Sequence, residues 1–257
     1  MLDVIVINRQ SDLDRLAFMT SQLDSLGIRF YRLDAYTPDT MPDDRPKNYW
    51  RRGSRTMSGR ERACFLSHHA AWEWIAGSGP ALVLEDDVIL ARQVRDILSD
   101  LSTTDELEHL SLEVRAARKT LARSSIPIAH GVAAHRSFFD RTGSAAYILW
   151  PSGARKLMQD AARAPAPTDA LICHASGLRS YQANPALAMQ LNLAGHFGLD
   201  LENLPRETPP KRPFLLSTPG QWMRRAGAGW RLFQRRLRHL ASTRSVQVPV
   251  KLEYFDN

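Results

Sequence analysis

The sequence predicts an α/β fold built on a mostly parallel central sheet, followed by a basic helical tail. Three observations lead there. The chain opens with a β-α-β pattern, a second apolar strand at 80–84 runs directly into three carboxylates, and a proline-rich stretch separates a basic amphipathic segment from everything before it.

Residues 2–8 (LDVIVIN) are a short Val/Ile-rich run, the pattern of a buried strand. Over 11–26 the apolar residues Leu13, Leu16, Met19 (or Ala17), Leu23 and Leu26 fall on one helical face. Ser11 or Asp12 is placed to cap that helix and Gly27 to end it. Residues 28–34 (IRFYRLD) alternate as a second strand, and such a unit implies parallel pairing. Residues 37–57 lack periodicity and read as a loop. Ser58 and Glu61 have capping-box spacing at the start of a helix over 58–76. Strand 80–84, a helix at 91–102, an uneven loop over 115–137, a strand at 143–150, a helix at 152–162 and a turn at 165–169 complete the body.

The tail is of a different kind. Five prolines within 205–219 predict an extended linker. Beyond it Trp222, Ala226, Trp230, Phe233, Leu237 and Leu240 recur at helical spacing, with Arg224, Arg225, Arg231, Arg235 and Arg238 mostly off that stripe. The predicted organisation is a domain over 1–204, a linker over 205–219 and a basic amphipathic helix with C-terminal tail over 220–257. Two readings of that helix stay open: packing on the domain, or lying on an anionic membrane surface through 220–241.

The chain has 257 residues, 44% apolar and 24% charged, which excludes wholesale disorder and fibrous repeats. Two cysteines exclude a disulfide scaffold. No apolar run approaches the roughly 18–20 residues of a membrane span. The start MLDVIVIN has an acid and no basic n-region, so it reads as a strand and not a signal peptide. The expected location is cytoplasmic, peripheral on the inner face of the membrane if the tail binds there. The net charge of +7 is local: residues 206–244 carry 10 basic and 1 acidic side chains, whereas 1–205 carry 23 and 24. A neutral body with one basic segment points to a local anionic contact: membrane surface, a lipopolysaccharide-like acceptor and nucleic acid all fit the charge, and no nucleic-acid partner is expected once the acidic motif and tryptophan-bearing tail are weighed.

The chemistry is concentrated in Glu85-Asp86-Asp87. Adjacent carboxylates repel, and a hard divalent cation such as Mg²⁺ or Mn²⁺ relieves the repulsion while bridging to a substrate phosphate. On an extended chain Glu85 and Asp87 point the same way and reach one ion, with Asp86 facing elsewhere. In open α/β sheets ligands bind beyond the carboxyl ends of the strands, where this motif sits.

The motif has company. Residues 59–72 read Gly-Arg-Glu-Arg-Ala-Cys-Phe-Leu-Ser-His-His-Ala-Ala-Trp. Val6-Ile7-Asn8 with Asp14-Arg15 precede them, and Thr142–Leu157, Pro167-Thr168-Asp169, Pro185 and Gln190 follow. In this order the set resembles glycosyltransferase family 25, the lipooligosaccharide-biosynthesis glycosyltransferases, over residues 2–192. That family carries a G-E-x-x-C-x-L-S-H-x-x-x-W-like helix and then L-E-D-D; here Arg60 stands between Gly59 and Glu61.

The resemblance implies a GT-A-like nucleotide-binding fold, a nucleotide-diphosphate sugar donor such as UDP-galactose, a divalent metal and a glycolipid or oligosaccharide acceptor, with inversion at the sugar carbon. It places Asn8, Arg15, Ser67, His68, Glu85 and Asp86 near the nucleotide sugar. Glu85 and Asp87 are the expected metal ligands, with His174 completing the set, and Asp169 is the expected acceptor base. Two other classes compete: a metal-dependent phosphohydrolase or nucleotidyltransferase using the same carboxylates, and a noncatalytic membrane-associated module.

Overall fold

The computed structural model describes residues 1–42, 45–46, 49–52, 55–104, 107–138, 141, 143–175, 177–199 and 241–255. Its elements in chain order are β1 (Asp3–Asn8), α1 (Leu13–Ser25), β2 (Tyr31–Asp34), β3 (Arg51–Arg52), β4 (Arg55–Thr56), α2 (Gly59–Ser78), β5 (Ala81–Glu85), β6 (Val88–Leu90), α3 (Val94–Asp100), β7 (His109–Ser111), β8 (Lys119–Pro127), β9 (Ala133–Ser137), β10 (Ala146–Leu149), α4 (Pro151–Arg163), α5 (Thr168–His174), β11 (Ser180–Asn184), β12 (Ala188–Gln190) and β13 (Thr243–Val246).

Nine strands form one sheet in the order β13-β8-β9-β11-β7-β10-β5-β1-β2. β1 pairs in parallel with β2 and β5, and β7 in parallel with β11; the other five pairings are antiparallel. Six of the nine strands therefore point one way, and β9, β10 and β13 run against them. The sheet is mixed, more so than the opening β-α-β unit suggests.

Strand alternation splits the core in two. Val4 and Val6 of β1 and Leu82 and Leu84 of β5 join a cluster with Met19 and Leu23 of α1 and Val94, Ile97 and Leu98 of α3. Ile5, Ile7, Ala81 and Val83 face the other way, against Phe65, Trp72 and Ile75 of α2, Ala154 and Leu157 of α4, and Leu171 and Ile172 of α5. The sheet is thus covered on both faces, and its strands read as continuous apolar runs for that reason. α2 starts with the expected capping box: the Glu61 carboxylate accepts from Ser58 N at 2.9 Å, and Glu61 N donates to Ser58 Oγ at 3.3 Å.

Several expectations are corrected. Leu13 is 64% exposed, while polar Gln22 is buried in α1. Its amide donates to Val88 O and accepts from Leu90 N, so it serves the backbone of β6 as a strand partner would. Residues 119–137, read as part of an irregular loop, are largely the antiparallel pair β8–β9. The body does not end at 204. β13 pairs with β8, and Val248, Tyr254 and Phe255 join the first cluster. The linker and the basic helix expected over 205–240 lie outside the described residues.

Candidate active site

The parallel strands β1, β2 and β5 end together, bringing Asn8, Asp34 and Glu85 to one edge of the sheet. The antiparallel neighbour β10 begins at that edge, and Ala145 O accepts from Glu85 N at 2.8 Å just before it. Asp86 and Asp87 form the turn into β6. The three consecutive carboxylates meet three different environments.

Glu85 turns toward α2 and β10. Its Oε1 lies 3.3 Å from His68 Nε2 and accepts from Ser144 Oγ at 2.9 Å. Burial pushes its pKa up, but the His68 hydrogen bond and charge, Ser144 and Arg15 outweigh that and hold it below the usual value. Asp86 is buried and fully engaged: Oδ2 accepts from Asn8 Nδ2 and Oδ1 from Arg15 Nη1, both at 2.8 Å. Asp87 is left with the least. Its Oδ2 is 3.8 Å from Arg15 Nη1, and its buried Oδ1 has no hydrogen-bond partner among the described residues. Burial and the Glu85 charge, with a further push from Asp86, raise its pKa to about 7 against the pull of Arg15 and Gln190.

His68 is the hub on the helix side. Nδ1 is 2.9 Å from the Tyr147 hydroxyl, which also accepts from Trp72 Nε1 at 2.8 Å. Burial lowers its pKa, but Tyr147, Cys64 and Glu85 together raise it well above the ordinary value. As an imidazolium it donates from both nitrogens, toward Glu85 and toward Tyr147.

The expected site residues separate. Glu85, Asp87, Asp86, Asn8, Arg15 and His68 converge on this edge. Asn8 and Arg15 both hold Asp86, and Asn8 Nδ2 also donates to Asp12 O at 3.1 Å. Ser67 does not join: its hydroxyl accepts from Tyr36 N and donates to Ala63 O, both at 2.9 Å, tying the chain after β2 to α2. Adjacent helix residues face different ways, so Ser67 and His68 cannot share a site. Asp169 stands in the first turn of α5, its Oδ1 accepting from Ala170 N at 2.8 Å. The preceding Thr168 reaches Cys64, 3.7 Å away.

His174 is exposed at the far end of α5 and is not brought to Glu85 and Asp87. Among the described residues the only three His, Cys, Asp or Glu ligand atoms lying within 4.8 Å of one another belong to Cys64, His68 and Glu85. Cys64 is exposed.

Sequence reasoning missed three members of the site. Tyr147 and Ser144 lie in a strand and its approach, inside the family-like stretch 142–157, where no spacing singles them out as site residues. Glu113 is buried behind Glu85. Its Oε1 accepts from Ala145 N at 3.1 Å, its Oε2 has no partner among the described residues, and burial and Glu85 push it up to about 7 against Lys119. Gly143 marks the fit: at φ +114°, a Cβ there would lie 2.1 Å from Glu113 Oε1.

The family described as Glycosyltransferase family 25 (LPS biosynthesis protein) matches residues 1–172. Over 111 residues the chain is 33% identical to a bovine (Bos taurus) protein named "Probable inactive glycosyltransferase 25 family member 3", and 35% identical to a human (Homo sapiens) one named "Inactive glycosyltransferase 25 family member 3". Each match covers 40% of this chain and 18% of the relative, so this chain spans well under two thirds of their length. A solved glycosyltransferase involved in glycosylation of the major capsid of PBCV-1 aligns with TM-score 0.38 and 12% identity, covering 74% of this chain and 92% of that one. At that level the likeness carries no argument.

Proposed function

The chain belongs to glycosyltransferase family 25, and on that premise we propose that it transfers a sugar, galactose in the first instance, from a UDP-sugar to a hydroxyl of a surface glycolipid or oligosaccharide. The proposed site is the acidic edge at Glu85–Asp87, in a GT-A-like arrangement. The observation that carries this reading is Asp87: a half-buried carboxylate with one buried, unpartnered oxygen among the described residues, pushed to about 7 by desolvation and by the charge of Glu85. Such a group is unfavourable by itself and becomes favourable beside a hard divalent cation.

The donors fit a hard cation, since they are carboxylate oxygens at the mouth of three strands. Asp87 and Glu85 are the proposed ligands. When bound, Mn²⁺ or Mg²⁺ supplies charge neutralisation for the departing nucleotide diphosphate. The chain's own residues do the rest. Asn8 and Arg15 fix Asp86, and so fix the turn that aims Asp87. Ser144 and His68 orient Glu85, and Tyr147 and Trp72 orient His68. Asp169 is proposed as the base that removes the acceptor hydroxyl proton. His174 is withdrawn from the ligand set. The basic segment 220–241 is proposed to bring the enzyme to an anionic membrane carrying the acceptor. Among the described residues no helix is long and apolar enough to cross a membrane.

A second reading has one observation in its favour. Arg15 lies 2.8 Å from Asp86 and 3.8 Å from Asp87, so a guanidinium already partly neutralises the turn. In that reading the chain is an inactive member of the family, as its two relatives are named, and takes no metal here. Calorimetric titration with UDP, with and without Mn²⁺, on the protein and on Asp87→Asn separates the two. Metal-dependent UDP binding that Asp87→Asn removes is the expected result. Binding in neither protein overturns the enzyme reading.

A further inference from the structure

Cys64 lies one helical turn before His68 on α2, so both project toward the end of β5. Its thiol, the His68 imidazole and the Glu85 carboxylate offer three ligand atoms within 4.8 Å of one another. From this convergence we infer that Cys64, His68 and Glu85 form a binding site for a borderline-soft divalent cation of the zinc class, separate from the hard-cation position at Asp87 but sharing Glu85 with it.

The donor chemistry is selective. Thiolate and imidazole favour zinc-class ions, whereas Mg²⁺ and Mn²⁺ favour oxygen alone. The geometry fits as well. The 3.3 Å separation of His68 Nε2 and Glu85 Oε1 is long for a charge-assisted hydrogen bond. It equals the ligand–ligand edge of about 3.3 Å expected in a zinc tetrahedron with bonds of about 2.0–2.1 Å. Edges to a thiolate are about 3.5–3.6 Å on the same basis, so a rotation of the exposed Cys64 side chain closes the site.

The outer shell is in place. A metal-bound imidazole needs its other nitrogen oriented, and His68 Nδ1 faces the Tyr147 hydroxyl, itself held by Trp72. Thr168 Oγ1 lies 3.7 Å from the sulfur. Exposure of Cys64 gives the ion an entry path, and three protein ligands leave a fourth position open.

The protons balance. On binding, the Cys64 thiol loses its proton to solvent. The His68 imidazolium loses its Nε2 proton to solvent as well, coordinates through that nitrogen and keeps its other proton on Nδ1, directed at the Tyr147 oxygen. Glu85 cannot serve both positions, so a zinc-class ion withdraws a ligand from the hard-cation site and inhibits transfer. This consequence rests on the transferase reading; the binding itself does not.

Cobalt(II) titration of the full-length protein tests the site, because a cobalt–thiolate bond has its own near-ultraviolet charge-transfer absorption. One equivalent should give that band, zinc should displace it, and Asp87→Asn should keep it. Cys64→Ser, at an exposed position and checked for folding by thermal melting, should remove it. That substitution should also weaken zinc by more than the about 10–100-fold that loss of an outer-shell partner costs. No band with the unaltered protein, or a band that survives Cys64→Ser, overturns the inference. A cobalt–thiolate band in a protein without Mn²⁺-dependent UDP binding would retain the soft site and remove the transferase reading.

Discussion

Glu108 is a buried carboxylate and Asp87 a half-buried one with a single enclosed oxygen, and they have opposite fates. Glu108, just before β7, accepts from Lys156 Nζ at 2.9 Å on each oxygen, from Arg179 N at 2.9 Å and from Arg179 Nε at 3.0 Å. Burial raises its pKa, but those donors outweigh it and hold it below the usual range. Asp87 has a distant arginine, two acidic sequence neighbours and an orphan oxygen, and is pushed to about 7. Desolvation pushes both upward. The supply of donors decides whether a carboxylate serves the fold or waits for a ligand.

The largest effect that would break this comparison is on catalysis. Asp87→Asn should lower turnover by about 10²–10³-fold, the scale for losing one preorganised electrostatic stabiliser. It should leave the melting temperature in mildly alkaline buffer unchanged or raised, because it removes a repelled buried charge. Initial rates of UDP release and paired thermal melts measure the two. Retained turnover would place Asp87 with Glu108 as a structural group.

Glu108→Ala should do the reverse. It should cost about 2–3 kcal/mol, the scale of lost hydrogen bonds to a charged group whose cationic partners can rehydrate. UDP affinity per folded molecule should stay the same. Urea unfolding with calorimetry on the folded fraction checks this.

The smallest effect is on pH dependence, and its sign differs between the two groups. Asp87 and Glu113 titrate near 7 in the folded chain and near 4 when unfolded. Between those values the folded state holds more protons, so their part in stability improves as pH falls through about 7 and worsens as it rises. Without divalent ions the melting temperature should drop from about pH 6 to about pH 8, and Mn²⁺ should flatten that slope. Glu108, with its lowered pKa, loses its stabilising part only as pH falls below the ordinary carboxylate range. Melts across pH, with and without Mn²⁺, resolve the two arms.

Much of the sheet's first half was legible. β1, α1, β2, α2 and β5 announce themselves through apolar runs, a capping box and an acidic strand end, all signals confined to a few neighbouring residues. β8, β9 and β13 were not. Their segments carry serines and arginines along an outer region of the sheet, and pairing with other strands holds them rather than local alternation. Gln22 was hidden for a similar reason: a polar residue within an apolar helix face is explained only by the backbone of β6.

The amino-acid sequence by itself determined the family, the α/β class and the carboxylates of the acidic edge. These follow from residue types at fixed short spacings, which local sterics translate directly into strand, helix and turn. Only the tertiary structure decided what each carboxylate does. Asp86 is clamped by Asn8, 78 positions away, and by Arg15, 71 away; Glu85 meets Ser144 across 59. It also removed Ser67 and His174 from the cluster and brought Cys64 and Tyr147 into it. A carboxylate's charge state depends on the donors and charges within a few ångströms, and those neighbours come from strands and helices far apart in the chain.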